Sequence, residues 1–73
     1  MQNYYFNLTL TRDEMLRYYQ GQVQAIVVTT LTGVRVQFPA MHLRQYMTTS
    51  GINGKFCLKT QNNKFFSLIK VSV

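Results

Sequence analysis

Three features of the 73-residue sequence predict an α+β domain of about five antiparallel strands, arranged in a small roll or SH3-like barrel. First, short runs of alternating apolar and polar residues are typical of strands with one buried face. Second, the clearest helix start follows directly after the first of these runs. Third, glycine and asparagine residues separate the runs, as expected for tight turns. One helix is therefore expected between strands 1 and 2, and a short helical turn after Pro39.

The first strand is predicted over residues 4–10, where three apolar residues should face the core: Phe6, Leu8 and Leu10. The helix follows, because Thr11 and Glu14 have the spacing of a capping box. It should end near Gln20, with Gly21 in the left-handed conformation that closes helices. Its buried side is expected to carry three residues: Met15, Leu16 and Tyr19.

A hairpin is predicted in the middle of the chain. Residues 22–31 are rich in β-branched side chains on both faces, and residues 34–38 alternate cleanly. Gly33 should take the left-handed position in the turn between them. Pro39 closes the second of these strands and is expected as the first residue of the short helix.

Two more strands complete the prediction. The Asn53–Gly54 pair is a strong two-residue turn signal and should lead into a strand over residues 55–60. In that strand, Lys55, Cys57 and Lys59 share the face that points away from the core. Residues 61–64 form a turn, and residues 65–71 the last strand. Its apolar residues are expected on two faces, with Phe65, Ile69 and Val71 on one, and Phe66 and Leu68 on the other.

Length and composition restrict the classes of protein that fit. Residues 1–73 are expected to form a single domain, and 47% hydrophobic residues are enough for a folded core. One cysteine excludes a disulfide within the chain. The N-terminus lacks the pattern of a signal peptide, and no apolar run is long enough to span a bilayer. The expected location is therefore the cytoplasm.

The sequence does not predict an enzyme. His42 and Cys57 are the only histidine and cysteine, and a nucleophilic pair would need a third group to orient the base. Asp13 and Glu14 are the only acids, and both belong to the helix start. Neighbouring residues on a helix point about 100° apart, so the two carboxylates cannot act on one atom. No catalytic residue, cofactor or metal site is expected.

The basic residues are the main functional signal, since eight Lys and Arg against two acids give a net charge of +6. The candidate patch for nucleic acid or another anion consists of residues on predicted outward faces and on the short helix: Arg35, His42, Arg44, Lys55 and Lys59. Cations that follow a backbone, beside aromatic rings that stack on bases, are how small β-domains hold single strands. The alternative is a solvated basic surface with every aromatic ring in the core.

A second hypothesis is a protein-interaction or homo-oligomerisation adaptor. Tyrosines are common at interfaces, and adjacent tyrosines cannot all be buried against one core. The candidate interface consists of four aromatic residues: Tyr5, Tyr18, Tyr46 and Phe65. The last strand, apolar on both faces, would also need a cover, and a second copy is one. The alternative is ordinary packing at the edge of the core.

Three segments of the chain resemble a known family. They are Tyr-Tyr-Gln-Gly at residues 18–21, residues 34–44, and residues 51–58. The most specific part is Phe-Pro-Ala-x-His-Leu-Arg at residues 38–44. This pattern is similar to the bacterial family known as domain of unknown function 2835. The resemblance implies a small bacterial protein, and it brings no activity, cofactor or catalytic residue with it.

Overall fold

The alternating segments form two antiparallel sheets in the computed structural model, which describes residues 1–72 and the side chains of residues 1–71. The elements follow in the predicted order: β1 (Gln2–Leu10), α1 (Arg12–Tyr19), β2 (Ala25–Thr29), β3 (Arg35–Pro39), a 3-10 helix (Ala40–Tyr46), β4 (Ile52–Gln61) and β5 (Lys64–Ser72). The predicted α+β class with five antiparallel strands is therefore confirmed.

The larger sheet has β4 in its centre, with β1 on one side and β5 on the other. Phe6 of β1 lies opposite Phe56 of β4, and their rings stack with centroids 5.7 Å apart. Both rings are fully buried. We call the side of this sheet that carries them the inner face, and the opposite side the outer face. The hydrophobic core lies against the inner face.

The smaller sheet is the β2–β3 hairpin, which packs over the inner face. The Phe38 ring of β3 lies 5.9 Å from the Phe6 ring, and Ile26 is also buried in this layer. The two sheets stay separate, so the strands do not form a closed barrel. β3 has the predicted length of five residues, but β2 also has only five and is much shorter than the predicted 22–31. Val27 on the far side of β2 is 47% exposed. A backbone hydrogen bond from the Leu31 N–H to the Tyr5 carbonyl (2.8 Å) joins the hairpin to β1.

The start and end of α1 are as predicted. The Thr11 hydroxyl accepts from the Glu14 N–H, and the Glu14 carboxylate accepts from the Thr11 N–H, which completes the capping box. Gly21 has a φ of +79° just after the helix. The buried side differs from the prediction, because Tyr18 packs against the core while Tyr19 is 54% exposed. Tyr18 lies one turn after the buried Met15, and that spacing sets the core-facing side of the helix.

The short helix after Pro39 is a 3-10 helix that covers the inner face near β5. Pro39 is the last residue of β3 and the N-cap, with an extended backbone, so it is not the first helical residue that we predicted. Leu43 is fully buried. The Tyr46 ring packs edge-on against Phe56 (5.3 Å), and its hydroxyl donates to the Leu68 carbonyl of β5 (2.9 Å). The helix therefore covers part of the β5 edge.

The predicted turn at Asn53–Gly54 is wrong. Both residues lie inside β4, where Asn53 is opposite Thr9 and Gly54 is opposite Leu8. The chain reverses earlier, and Gly51 has a φ of +112° just before β4 begins. Nine consecutive pairs with β1 extend β4 through the local turn signal, because the ladder satisfies more backbone groups than one turn would.

The turn between β4 and β5 is confirmed, since Asn62 and Asn63 have positive φ values of 54° and 62°. A β-bulge beside it changes the faces of β5. Thr60 lies opposite Phe65, but Lys59 lies opposite Ser67, so Phe66 is an additional residue. Phe65 therefore shares the inner face with Leu68, and the predicted grouping of Phe65 with Ile69 and Val71 is wrong.

Candidate nucleic-acid interface

The outer face of the large sheet is built of rows that run across β1, β4 and β5. Side chains that are opposite in register and on one face lie side by side. The central row is Tyr5, Cys57 and Ile69; the row on one side is Asn3, Lys59 and Ser67; the row on the other side includes Asn7 and Lys55. Neighbouring rows are about 6.7 Å apart along the strands. An apolar row thus lies between two rows that each carry a lysine.

The central row is a small apolar platform. Tyr5 is 44% exposed and Ile69 is 43% exposed, whereas Cys57 between them is buried. Cys57 raises the pKa of Tyr5 above its ordinary value of 10.0. Side-chain hydrogen bonding has the larger effect, and the negative charge of the Cys57 thiolate the smaller one. The Tyr5 phenol is therefore uncharged at neutral pH, and it does not repel an anionic ligand.

The charge on this face is positive. Lys55 places its Nζ 5.7 Å from the centroid of the Tyr5 ring, within the range of a cation–π contact. Lys59 lies in the row on the other side of Tyr5. The two acidic residues of the chain, Asp13 and Glu14, both lie in the first turn of α1. The outer face therefore has no side-chain carboxylate to oppose its lysines.

A cleft of about 350 Å³ adjoins Tyr5 where the β2–β3 turn meets β1. Its lining consists of residues from β1, the turn and β4: Asn3, Tyr4, Tyr5, Leu31, Thr32 and Lys55. The Leu31 N–H bond to the Tyr5 carbonyl holds the turn against β1. The cleft and the central row share the Tyr5 ring, so they form one continuous surface.

The residues of the predicted basic patch fall in three places. Lys55 and Lys59 lie together on the outer face. His42 and Arg44 lie on the 3-10 helix, which packs on the inner face. His42 stacks on the Phe65 ring (3.6 Å between centroids, 9° between planes), and Arg44 donates to the Tyr19 carbonyl (3.1 Å). Arg35 is exposed on β3 of the hairpin.

The residues of the predicted interface also separate. Tyr5 lies on the outer face, but Tyr18, Tyr46 and Phe65 are half-buried and pack against the core. These four rings therefore do not make one surface, and the adaptor hypothesis is not favoured. The homodimer stays a prediction.

Sequence reasoning missed several residues of the outer face and its cleft. Asn3 and Asn7 were detectable, because they alternate with Tyr5 along β1 and so share its face. Ile69 was assigned to the face of Phe65, and the bulge at Phe66 corrects this. Leu31 comes next to Tyr5 only through the docking of a distant turn.

Two other findings concern the described part of the chain. No group of three or more His, Cys, Asp or Glu residues is close enough there to hold a metal ion. Neither helix within residues 1–72 has the length and apolar character needed to cross a membrane.

Comparison with known proteins gives one match. The model of a family described as "Protein of unknown function (DUF2835)" matches residues 2–71, and this confirms the resemblance that the sequence predicts. Neither a curated protein nor a solved structure matches the chain.

Proposed function

We propose that this chain, which belongs to the DUF2835 family of proteins of unknown function, binds single-stranded nucleic acid on its outer face. The observation that carries the proposal is the exposed Tyr5 ring between the rows of Lys55 and Lys59, on a face without a side-chain carboxylate. Aromatic rings that stack on bases and cations that meet the phosphates are the two parts of such a site.

The shape of the face favours a single strand over a duplex. The outer face belongs to a three-stranded sheet and presents no helix or two-stranded ribbon to enter a groove, which is how proteins read the bases of double-stranded DNA. In a single strand the bases can unstack and lie on Tyr5 and the neighbouring Ile69. Each base stacked on an aromatic side chain contributes about 1–3 kcal/mol.

The lysines supply the electrostatic part of the binding. Lys55 and Lys59 lie on opposite sides of the stacking row, so a strand whose base contacts Tyr5 can bring phosphates to both. Cations that neutralise phosphates release counterions, and binding then weakens as salt is raised. For single strands, the slope of log K against log [salt] is about −0.7 for each phosphate neutralised.

Salt titrations of three variants test the proposal directly. Binding of a dye-labelled short oligonucleotide is measured by fluorescence anisotropy over a range of NaCl concentrations. We expect Lys55→Gln and Lys59→Gln each to make the slope shallower by about 0.7, because each removes one phosphate contact. Arg17→Gln is the matched control: it also removes one positive charge, but from α1, and should leave the slope unchanged.

Two kinds of result would contradict the proposal. One is the absence of binding below about 100 μM at about 50 mM salt, or binding that does not depend on salt. The other is an equal loss of affinity for all three variants, which would mean that only net charge matters. A duplex of the same sequence should bind more weakly than the single strand. The proposal also keeps the cytoplasm as the expected location.

A further inference from the structure

The cleft beside Tyr5 is bounded by side chains from two different parts of the fold. The Tyr5 ring comes from the outer face of the large sheet, and Leu31 comes from the β2–β3 turn. Leu31 is 56% exposed, although it is a large apolar side chain. Tyr5 is 44% exposed and lines the same cleft, so the two side chains together make an apolar surface that a ligand can contact.

The turn that presents Leu31 is held by a network of hydrogen bonds around the buried Thr30. The Thr30 hydroxyl accepts from the Val34 N–H (3.1 Å), and it lies 3.1 Å from the Thr32 hydroxyl. Two backbone hydrogen bonds add to this network: the Thr30 N–H donates to the Val34 carbonyl (2.7 Å), and the Gly33 N–H donates to the Thr30 carbonyl (2.9 Å). The Leu31 N–H also donates a hydrogen bond to the Tyr5 carbonyl of β1. The cleft is therefore formed before any ligand arrives, which lowers the entropy cost of binding.

The chemistry of the lining selects the kind of ligand. An aromatic ring and an aliphatic side chain suit a planar ring between them. The ammonium group of Lys55 suits an attached anion, and the Asn3 amide can both donate to and accept from a heterocycle. The volume of about 350 Å³ is at the small end of the range for ligand sites. An aromatic heterocycle that carries a phosphate fits all four features.

We propose that this cleft takes one unstacked nucleobase of the bound strand, between Tyr5 and Leu31, with the adjoining phosphate on Lys55. The inference rests on the proposed function, and it adds a defined position to a face that otherwise binds any sequence. A base in the cleft has a side chain on each side, Tyr5 and Leu31, whereas a base elsewhere on the face would lie on the central row alone.

An oligonucleotide with a single base tests the cleft. The probe is an abasic backbone that carries one thymine in its centre, and the reference is the same backbone without a base. The wild type should bind the probe about tenfold more tightly than the reference. Leu31→Ala should reduce this preference to about threefold, because one wall of the cleft is lost. Val34→Ala is the control: Val34 is a similarly exposed residue of the same turn but outside the lining, and the tenfold preference should remain.

The two proposals fail in different ways. If a strand with all its bases binds without salt dependence, or not at all, the outer face does not hold nucleic acid and the proposed function is wrong. If that strand binds with the expected salt dependence but Leu31→Ala keeps the full preference, the cleft proposal alone is wrong. Thermal melting of Leu31→Ala separates a local effect from unfolding. As a second readout, 5-iodouracil in place of the thymine should cross-link to Tyr5 on irradiation, and Leu31→Ala should lower the yield. An unchanged yield in Leu31→Ala, or a cross-link only outside the cleft, would overturn the assignment.

Discussion

Gly51 and Gly21 both have positive φ values, but the surroundings of the two residues differ. A Cβ on Gly51 would lie 2.1 Å from the Leu10 carbonyl oxygen, and other backbone atoms of residues 11 and 12 are within 3.1 Å. Backbone cannot move aside as a flexible side chain can. A Cβ on Gly21 would meet nothing within 4 Å. Gly51 is therefore required for space as well as for conformation, since it lies where the start of β4 approaches the end of β1.

We expect Gly51→Ala to lower the free energy of unfolding by roughly 3 kcal/mol or more, through the collision with backbone and the strained φ. Gly21→Ala is the matched control, which carries the conformational cost alone and should lose about 1 kcal/mol. Urea unfolding followed by circular dichroism measures both. Equal losses would mean that the collision is relieved by a small shift of the chain, contrary to this interpretation.

The capping box makes stability depend on pH through Glu14. Hydrogen bonding with Thr11 holds the pKa of Glu14 below its ordinary value of 4.5. The backbone N–H of Thr11 has the larger effect and its side chain the smaller one. The unfolded chain therefore binds a proton at Glu14 more readily than the folded chain does. The carboxylate thus adds to the free energy of unfolding above about pH 4.5, and this addition is lost as the pH falls through the pKa of Glu14 in the folded protein. Glu14→Gln should flatten the acid limb of stability against pH, because it lowers the free energy of unfolding at neutral pH, where the carboxylate is charged, more than in acid.

Thr11→Ala tests the other hydrogen bond of the capping box. It removes the hydroxyl that accepts from the Glu14 N–H, and should cost about 1 kcal/mol at neutral pH. Thermal melting across an acid pH series detects both effects. An acid limb as steep in Glu14→Gln as in the wild type would show that other groups control the acid transition.

Local sequence patterns predict a helix or turn correctly where a single segment determines the structure. The capping box and Gly21 set the limits of α1, and Gly33 has the expected positive φ of 87°. Prediction failed where distant segments compete with a local preference. The pair Asn53–Gly54 has an excellent turn sequence, yet pairing with β1 draws it into β4. The bulge at Phe66 is equally invisible in the sequence, because it reflects the fit of β5 to β4 and not a local pattern.

The β4–β5 hairpin depends on two left-handed asparagines. A two-residue turn with positive φ at both positions matches the twist of the strands, and Asn-Gly is the pair that suits it best. We therefore expect Asn63→Gly to keep or slightly raise the free energy of unfolding, whereas Asn63→Ala should lower it by about 1 kcal/mol. Chemical denaturation of the two variants tests this. A destabilised Asn63→Gly variant would mean that the Asn63 side chain itself stabilises the turn.

The sequence predicts the net charge of the protein but not the arrangement of its charged side chains. A net charge of +6 was evident, and so was the common face of Lys55 and Lys59, since both lie on one strand. The separation of Arg44 and His42 from these lysines was not predictable, because it depends on the 3-10 helix crossing the inner face. Likewise, Leu31 reaches Tyr5 only after the hairpin docks on β1. Residues on one element could be grouped from sequence, and residues on different elements could not.

The excess of positive charge also predicts two opposite effects of salt. In the free protein, eight cations repel one another with two acids to offset them, and NaCl screens this repulsion. We therefore expect the melting temperature of the free protein to rise by about 2–4 °C between low and moderate NaCl. The complex with an oligonucleotide should respond in the other direction, since its affinity falls with salt. The increase in melting temperature that the oligonucleotide causes should then shrink as NaCl is raised.

A double variant separates these two effects. Arg12→Gln with Arg17→Gln removes two positive charges from α1 and none from the outer face, so it should flatten the salt response of the free protein. The fall of oligonucleotide stabilisation with salt should persist in this variant, because Lys55 and Lys59 remain. Scanning fluorimetry with and without the oligonucleotide measures both quantities in one experiment. If both responses flattened together, binding would depend on net charge alone, and the arrangement of lysines around Tyr5 would have no special role.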